Sequence, residues 1–289
     1  MRSWHIVALV VMNLFWATTY PVFKVLSQHL SSGGVATLRY GFAAVIIAVL
    51  WRWLPGAAPR GRDWWRVLLI GVVVFGLAPR LQVEAVRRGQ AGDTSLLVAL
   101  EPLVTAVAAA IFLREHIVPR RWWGFGLGMT GVVLLSNVWR GSTPLHGLLP
   151  NLLFILSFFC EATYSVAGKP LLERTSPLKL LGGALILALP TNLAIEWLAG
   201  NGGVSAVAHI PLKAWLLLVY LAVICTVVGY GLWFMVIREA EVNIASLTIF
   251  VQPVTGLLLS VFWLGEQAHL GQLWGGLAIL AGLTIGLRR

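Results

Sequence analysis

Charge is scarce in this sequence. Asp, Glu, Lys and Arg make up 11% of its 289 residues while 58% are hydrophobic, where soluble domains carry about 25% charged residues. A water-soluble fold of this length cannot hide so much apolar surface, and a disordered chain needs the opposite composition. Cysteine is nearly absent as well. Cys160 and Cys225 lie inside apolar runs without metal-ligand spacing, which excludes a disulfide scaffold and leaves them a packing role. Acidic residues number 11 against 21 basic ones, for a formal net charge of +10. The basic residues sit in short gaps between apolar runs and form no stripe, so membrane orientation explains them better than a nucleic-acid partner does. Long apolar runs are what the chain has in abundance, and they define a polytopic membrane protein.

A helical span needs about 20 mostly apolar residues at 1.5 Å rise each. Ten segments approach that length, at roughly 4–22, 34–51, 65–87, 91–113, 119–138, 147–168, 178–199, 212–237, 242–264 and 269–287. The runs are apolar on both parities and too long for barrel strands, so they are helices. The first has no A-x-A site after it and reads as an uncleaved span. With the N-terminus inside, fourteen Lys and Arg residues fall on the cytoplasmic side and five outside. That bias puts both termini in the cytoplasm.

The chain repeats itself. A shift of 151 residues lays Ser95 on Ser246, Pro102 on Pro253, Leu113 on Leu264, Glu115 on Glu266, Trp123 on Trp274, Gly124 on Gly275 and Gly131 on Gly282. A shift of 145 lays Ala17, Thr18 and Lys24 on Ala162, Thr163 and Lys169. Each half, 1–140 and 141–289, then has five spans, and an odd number enters the second half upside down, an arrangement common in secondary transporters.

At these residues the sequence resembles the drug/metabolite transporter superfamily in its EamA-type ten-helix branch. The matching features are the run WATTYPVFK from Trp16 to Lys24, Arg39 in the second span, Pro102 and Glu115 in and beyond the fourth, and the second-half copies Lys169, Pro253 and Glu266. The resemblance implies a basket of ten helices around a central cavity, alternating access, and export of amino acids or other small metabolites from the bacterial cytoplasm across the inner membrane. The sequence departs from a strict duplication at two points. Ala184 stands opposite Arg39, and Glu101 stands opposite Gln252.

Glu101 is the sharpest candidate for a working residue. It falls near mid-span, where an ionisable group costs at least about 2.5–3.5 kcal/mol and so faces a partner or a wet cavity. Pro102 and Pro253 lack the helical N–H and are expected to kink their helices, leaving Glu101 and Gln252 as two related polar points at mid-depth. The structural alternative is an ion pair of Glu101 with Arg80 or Arg39. Arg80 and Glu84 stand i, i+4 and can pair, or Arg80 can meet a substrate carboxylate. Glu161 with Tyr164 one turn on lines a vestibule or reaches the interface. Asn13, Trp16 and Tyr20 form one helical stripe, Tyr230 and Trp233 a shorter one, and Thr248 shares a face with Gln252. Packing, an interface belt and hydroxyl-to-backbone bonding are the plainer uses of these side chains.

Other features carry less chemistry. Glu115 and Glu266 read as helix-end anchors and Lys24 and Lys169 as snorkelling anchors. The glycines at 124, 128, 271, 275, 282 and 286 have the spacing for close packing of the fifth and tenth spans. Gly126, Gly128 and Gly131 match a dinucleotide fingerprint but lie inside an apolar span, which excludes that use. The six histidines are scattered, so neither a metal nor any other cofactor is expected. These readings converge on a non-enzymatic exporter whose partners are a small-molecule substrate, an amino acid or related metabolite, and the lipid bilayer. The substrate would sit between the first, third, fourth, sixth, eighth and ninth spans. Proton coupling through Glu101 and facilitative transport predict the same residues. A carrier of cationic drugs is the alternative within transport. An intramembrane enzyme using Glu84, Glu101 and Glu161 is the alternative outside it.

Overall fold

A computed structural model describes residues 2–88, 97, 98, 100–136, 148–198, 210–255, 258 and 270–288. Among the described residues every regular element is helical. Among these residues six helices are long and apolar enough to cross a membrane: α1 (Ser3–Phe23), α2 (Ser32–Leu50), α3 (Asp63–Ala85), α6 (Leu149–Leu171), α7 (Pro177–Leu198) and α8 (Leu212–Glu239). Four more are shorter or less apolar: α4 (Leu100–Phe112), α5 (Pro119–Ser136), α9 (Val242–Thr255) and α10 (Leu270–Leu287). Glu266, Ser95, and the side chains of Tyr20 and Lys24 lie outside the described residues.

Composition decides which surface faces where. Large apolar side chains stand outward around the bundle, among them Trp197 at 82% exposure and Ile111 at 66%. Such a coat belongs in lipid and not in water. The main core joins Met12, Tyr40, Phe75, Leu181, Phe234 and Ile249 from α1, α2, α3, α7, α8 and α9. Where backbones must approach, glycine clears the way. A Cβ on Gly131 of α5 would come within 2.6 Å of the Gly275 carbonyl, and one on Gly282 of α10 within 2.7 Å of the Gly124 carbonyl. The fifth and tenth helices therefore pack along the small-residue seam that the sequence spacing called for.

Three of the described helices, α3, α8 and α9, depart from α geometry in mid-course. Wider π turns run over Gly71–Leu77 in α3 and Leu221–Val228 in α8. In α9 the helix tightens to a 3₁₀ turn at Thr248–Phe250, ahead of Pro253, whose ring crowds the carbonyl of Ile249 four residues back. Pro102 of α4 follows Leu97, Val98 and Leu100, which are helical as well. The expected kink on its N-terminal side lies outside the described residues.

The face of the bundle on which α1 begins is tied by charge. Arg174, after α6, grips Asp63 at the start of α3 through Nε (2.9 Å) and Nη2 (2.6 Å). Glu115, beyond α4, accepts from Lys169 Nζ (2.7 Å), from the backbone N–H groups of Val242 (2.9 Å) and Asn243 (3.0 Å), and from Asn243 Nδ2 (2.6 Å). A carboxylate from one connection thus caps the first turn of α9. That is the anchoring role expected of Glu115. Lys169 does not snorkel: its ammonium is held by Glu115 and by the Ala240 carbonyl (2.8 Å), because acceptors inside the bundle are nearer than the interface. Burial tends to raise the Glu115 pKa, but the Lys169 ammonium and the two backbone donors more than offset it and hold it below the ordinary carboxylate value.

Candidate functional site

A cavity opens among α1, α2, α3, α4, α6, α8 and α9. Its space for water centres is about 60 Å³, room for a handful of waters at about 10–15 Å³ each. α4 contributes Glu101 and Thr105, and α6 contributes Glu161, Tyr164 and Ser165. The i, i+4 spacing of Glu101 with Thr105 and of Glu161 with Ser165 puts a hydroxyl on the same face as each acid. This spacing was readable in the sequence and marks Thr105 and Ser165, which were not among the expected residues. Gln82 of α3 and Thr19 of α1 complete the polar lining. The Thr19 hydroxyl is buried and has no hydrogen-bond partner among the described residues.

The aromatic wall is bonded into place. Trp16 lies beside Tyr230 (ring centroids 5.1 Å apart) and Trp233 (6.1 Å). Its indole N–H donates to the Cys225 carbonyl at 2.8 Å, a close approach that Gly229 permits, since a Cβ there would meet Nε1 at 2.6 Å. Trp233 Nε1 donates to Ser165 Oγ (2.9 Å), and Tyr164 Oη donates to the Tyr230 carbonyl (2.8 Å). Tyr230 Oη donates to the Glu161 carboxylate, 3.2 Å from either oxygen. Gln252 Nε2 donates to Asn13 Oδ1 (2.9 Å), and Asn13 Nδ2 donates to Thr248 Oγ1 (3.1 Å) and to the Leu9 carbonyl (2.8 Å). Asn13 and Thr248 therefore stand behind the cavity, in a buried network that fixes Gln252, and do not line it.

Three ionisable side chains meet in this space with capacity to spare. Among the described residues Glu101 accepts no hydrogen bond and Glu161 is held by Tyr230 alone. Arg39, 3% exposed, donates from Nε to Thr226 Oγ1 (2.9 Å) and lies 4.9 Å from the Tyr40 ring centroid and 5.6 Å from that of Phe23. No carboxylate of the described residues comes within ion-pair distance of it. Neither ion pair considered for Glu101 forms.

Arg80 is elsewhere. Its guanidinium donates to the Gly76 carbonyl (2.5 Å), to Thr37 Oγ1 (3.2 Å) and to both Asn192 oxygens, with Glu196 at 3.7 Å. Glu84 takes Arg88 in its place. The π turn before Arg80 rotates the rest of α3 by about one residue, roughly 100°, away from the face an unbroken helix gives. That turn carries no hydropathy signal, so the sequence could not disclose it.

Apolar helices sheathed in outward hydrophobic side chains, around a cavity whose acidic and basic groups form no ion pair among the described residues, point to a multi-pass membrane transporter. The chain belongs to the EamA-like transporter family, whose model matches residues 3–137 and 148–287. An uncharacterised transporter of Archaeoglobus fulgidus is 26% identical over the full length of both chains. A probable terminal-alkyne amino-acid exporter of Streptantibioticus cattleyicolor is 25% identical over 98% of this chain and 93% of its own. A solved crystal structure shares the fold at a TM-score of 0.76, with 16% identity over 99% of this chain and 96% of that one. Family membership and the relatives' names point to transport of a small molecule rather than to intramembrane catalysis.

Proposed function

We propose that the protein exports amino acids or closely related zwitterionic metabolites across the bacterial inner membrane by alternating access. The observation that carries this is the cavity that gathers the free Glu101 carboxylate, the Glu161 carboxylate and the Arg39 guanidinium. An ammonium group finds acids there, a carboxylate finds a cation, and Trp16, Tyr164 and Trp233 offer apolar walls. Gln252, oriented through Asn13 and Thr248, adds a neutral polar contact. Arg80, the carboxylate ligand expected from the sequence, has both terminal nitrogens taken up by Gly76, Thr37 and Asn192, and among the described residues only its Nε is left without a partner.

The architecture in this reading is ten membrane helices in two inverted repeats, 1–140 and 141–289, with both termini cytoplasmic. The packing pattern supports it. The pairs α2–α7, α4–α9 and α5–α10 each join corresponding helices of the two halves, and α1–α8 corresponds to α6–α3. The two π turns support it too, since they begin 150 residues apart at Gly71 and Leu221. Mid-helix π turns are frequent at functional sites, and both lie in helices that line the cavity.

Counterflow in proteoliposomes tests the function. A panel of amino acids should compete for exchange where quaternary ammonium compounds do not. Competition by the quaternary compounds alone would replace this reading with a cationic-drug carrier, the aromatic walls and Glu161 serving as its cage. A flux whose pH dependence disappears in Glu101→Gln identifies proton coupling, and an unchanged flux and pH profile removes Glu101 from the mechanism.

A further inference from the structure

Hydroxyl side chains in this bundle generally fold back on their own helix. Thr130, Thr163 and Thr255 each donate to the carbonyl four residues before, as membrane helices commonly arrange. Thr226 differs. It lies in the π turn of α8 and donates to the Leu221 carbonyl, five residues back, at 2.9 Å. Its proton committed there, the oxygen is left as an acceptor, and it takes the Nε–H of Arg39 from α2 at 2.9 Å. Thr226 is itself fully buried.

This bond fixes how Arg39 can be used. A guanidinium offers five N–H donors in a planar fork. With Nε tied to Thr226 and the flanks of the group against Tyr40 and Phe23, the remaining donors are the two terminal nitrogens, and Arg39 lines the cavity that also holds Glu101 and Glu161. A paired edge of terminal N–H groups matches the two oxygens of a carboxylate. The duplicated position in the other half is Ala184, on which Gly71 closes so tightly that a Cβ would lie 2.5 Å from the Ala184 carbonyl. The first π turn backs onto a neighbouring helix, and the second supports a cation.

We propose that Arg39 is the carboxylate anchor of the cavity and that Thr226, presented by the π turn of α8, is the positioning residue that aims it. This deepens the transport reading and rests on it. The cavity then selects for a free carboxylate, and an amine of the same shape without that group is a poor substrate.

The test uses L-phenylalanine and L-phenylalaninamide, which keep the same ring and ammonium while the second lacks the carboxylate. In counterflow with the full-length protein, the wild type should show a KM for phenylalanine on the order of tenfold below that for the amide, the scale of one charge-assisted hydrogen bond. Thr226→Val should raise the phenylalanine KM about tenfold, leave maximal flux within about twofold and leave the amide unaffected, and Thr226→Ser should restore the wild-type value. Should the Val variant fold poorly, Arg39→Lys keeps the charge, loses the fork and predicts the same selective loss. A Val variant that raises both KM values together, or neither, overturns the positioning role. Equal KM values in the wild type overturn the anchor while leaving transport intact. No flux of phenylalanine or of any other amino acid in the panel overturns the transport reading and this proposal together.

Discussion

Glu101 lies on α4 and Glu115 just beyond its C-terminal end, and the two meet opposite fates. Glu115 accepts four hydrogen bonds from a lysine, two backbone amides and an asparagine. Glu101 accepts none from the described residues and faces a cavity together with Arg39 and Glu161. A buried carboxylate with filled acceptor sites holds helices together. One with empty sites is costly to keep and is retained where something else fills them. The same residue type thus serves structure just beyond α4 and stands open to the proposed ligand within it, and the difference lies in which neighbours the fold supplies.

That contrast can be broken by experiment. The largest effect is expected for Glu101→Gln, which should cut flux about a hundredfold, on the scale of a lost charged contact, while leaving the melting temperature in detergent unchanged or raised. A fall in both would make Glu101 a structural residue. Glu115→Ala should do the reverse. Breaking a fully buried pair costs about 3–5 kcal/mol, and with Lys169 a quarter exposed about 2–3 kcal/mol is expected, read as a lower melting temperature with flux per folded molecule preserved. Acidification isolates the same carboxylate. Its folded pKa is held down, so its contribution is complete above the unfolded value of about 4.3 and is lost as pH falls through the folded value. The loss of stability on acidification should therefore be shallower in Glu115→Ala, and identical curves would deny the linkage. The smallest change is expected for Trp16→Phe, which keeps the wall but removes the bond to Cys225. A two- to fivefold rise in KM is expected, on the order of one neutral hydrogen bond.

Much of this molecule is legible along the chain. The apolar runs announce membrane helices, and the spaced glycines announce the seam between α5 and α10, because both depend only on local period and side-chain volume. Glu101 is conspicuous for a similar reason: one charge inside an apolar run is visible without knowing its neighbours. Arg80 shows the limit. Its spacing to Glu84 is correct for a pair, yet Glu196, Thr37 and Asn192 compete for it from helices far away in sequence.

Hydropathy and length by themselves determined that the chain spans a membrane as helices, and residue spacing determined that the fifth and tenth helices would pack closely. Only the tertiary structure decided which charges are satisfied and which stand open. Arg39 and Thr226 are separated by 187 positions, and whether they touch depends on the rotation of α2 and on a π turn in α8. Periodicity is a property of one helix, whereas hydrogen bonding between helices is set by their mutual rotation and register, which no single segment encodes.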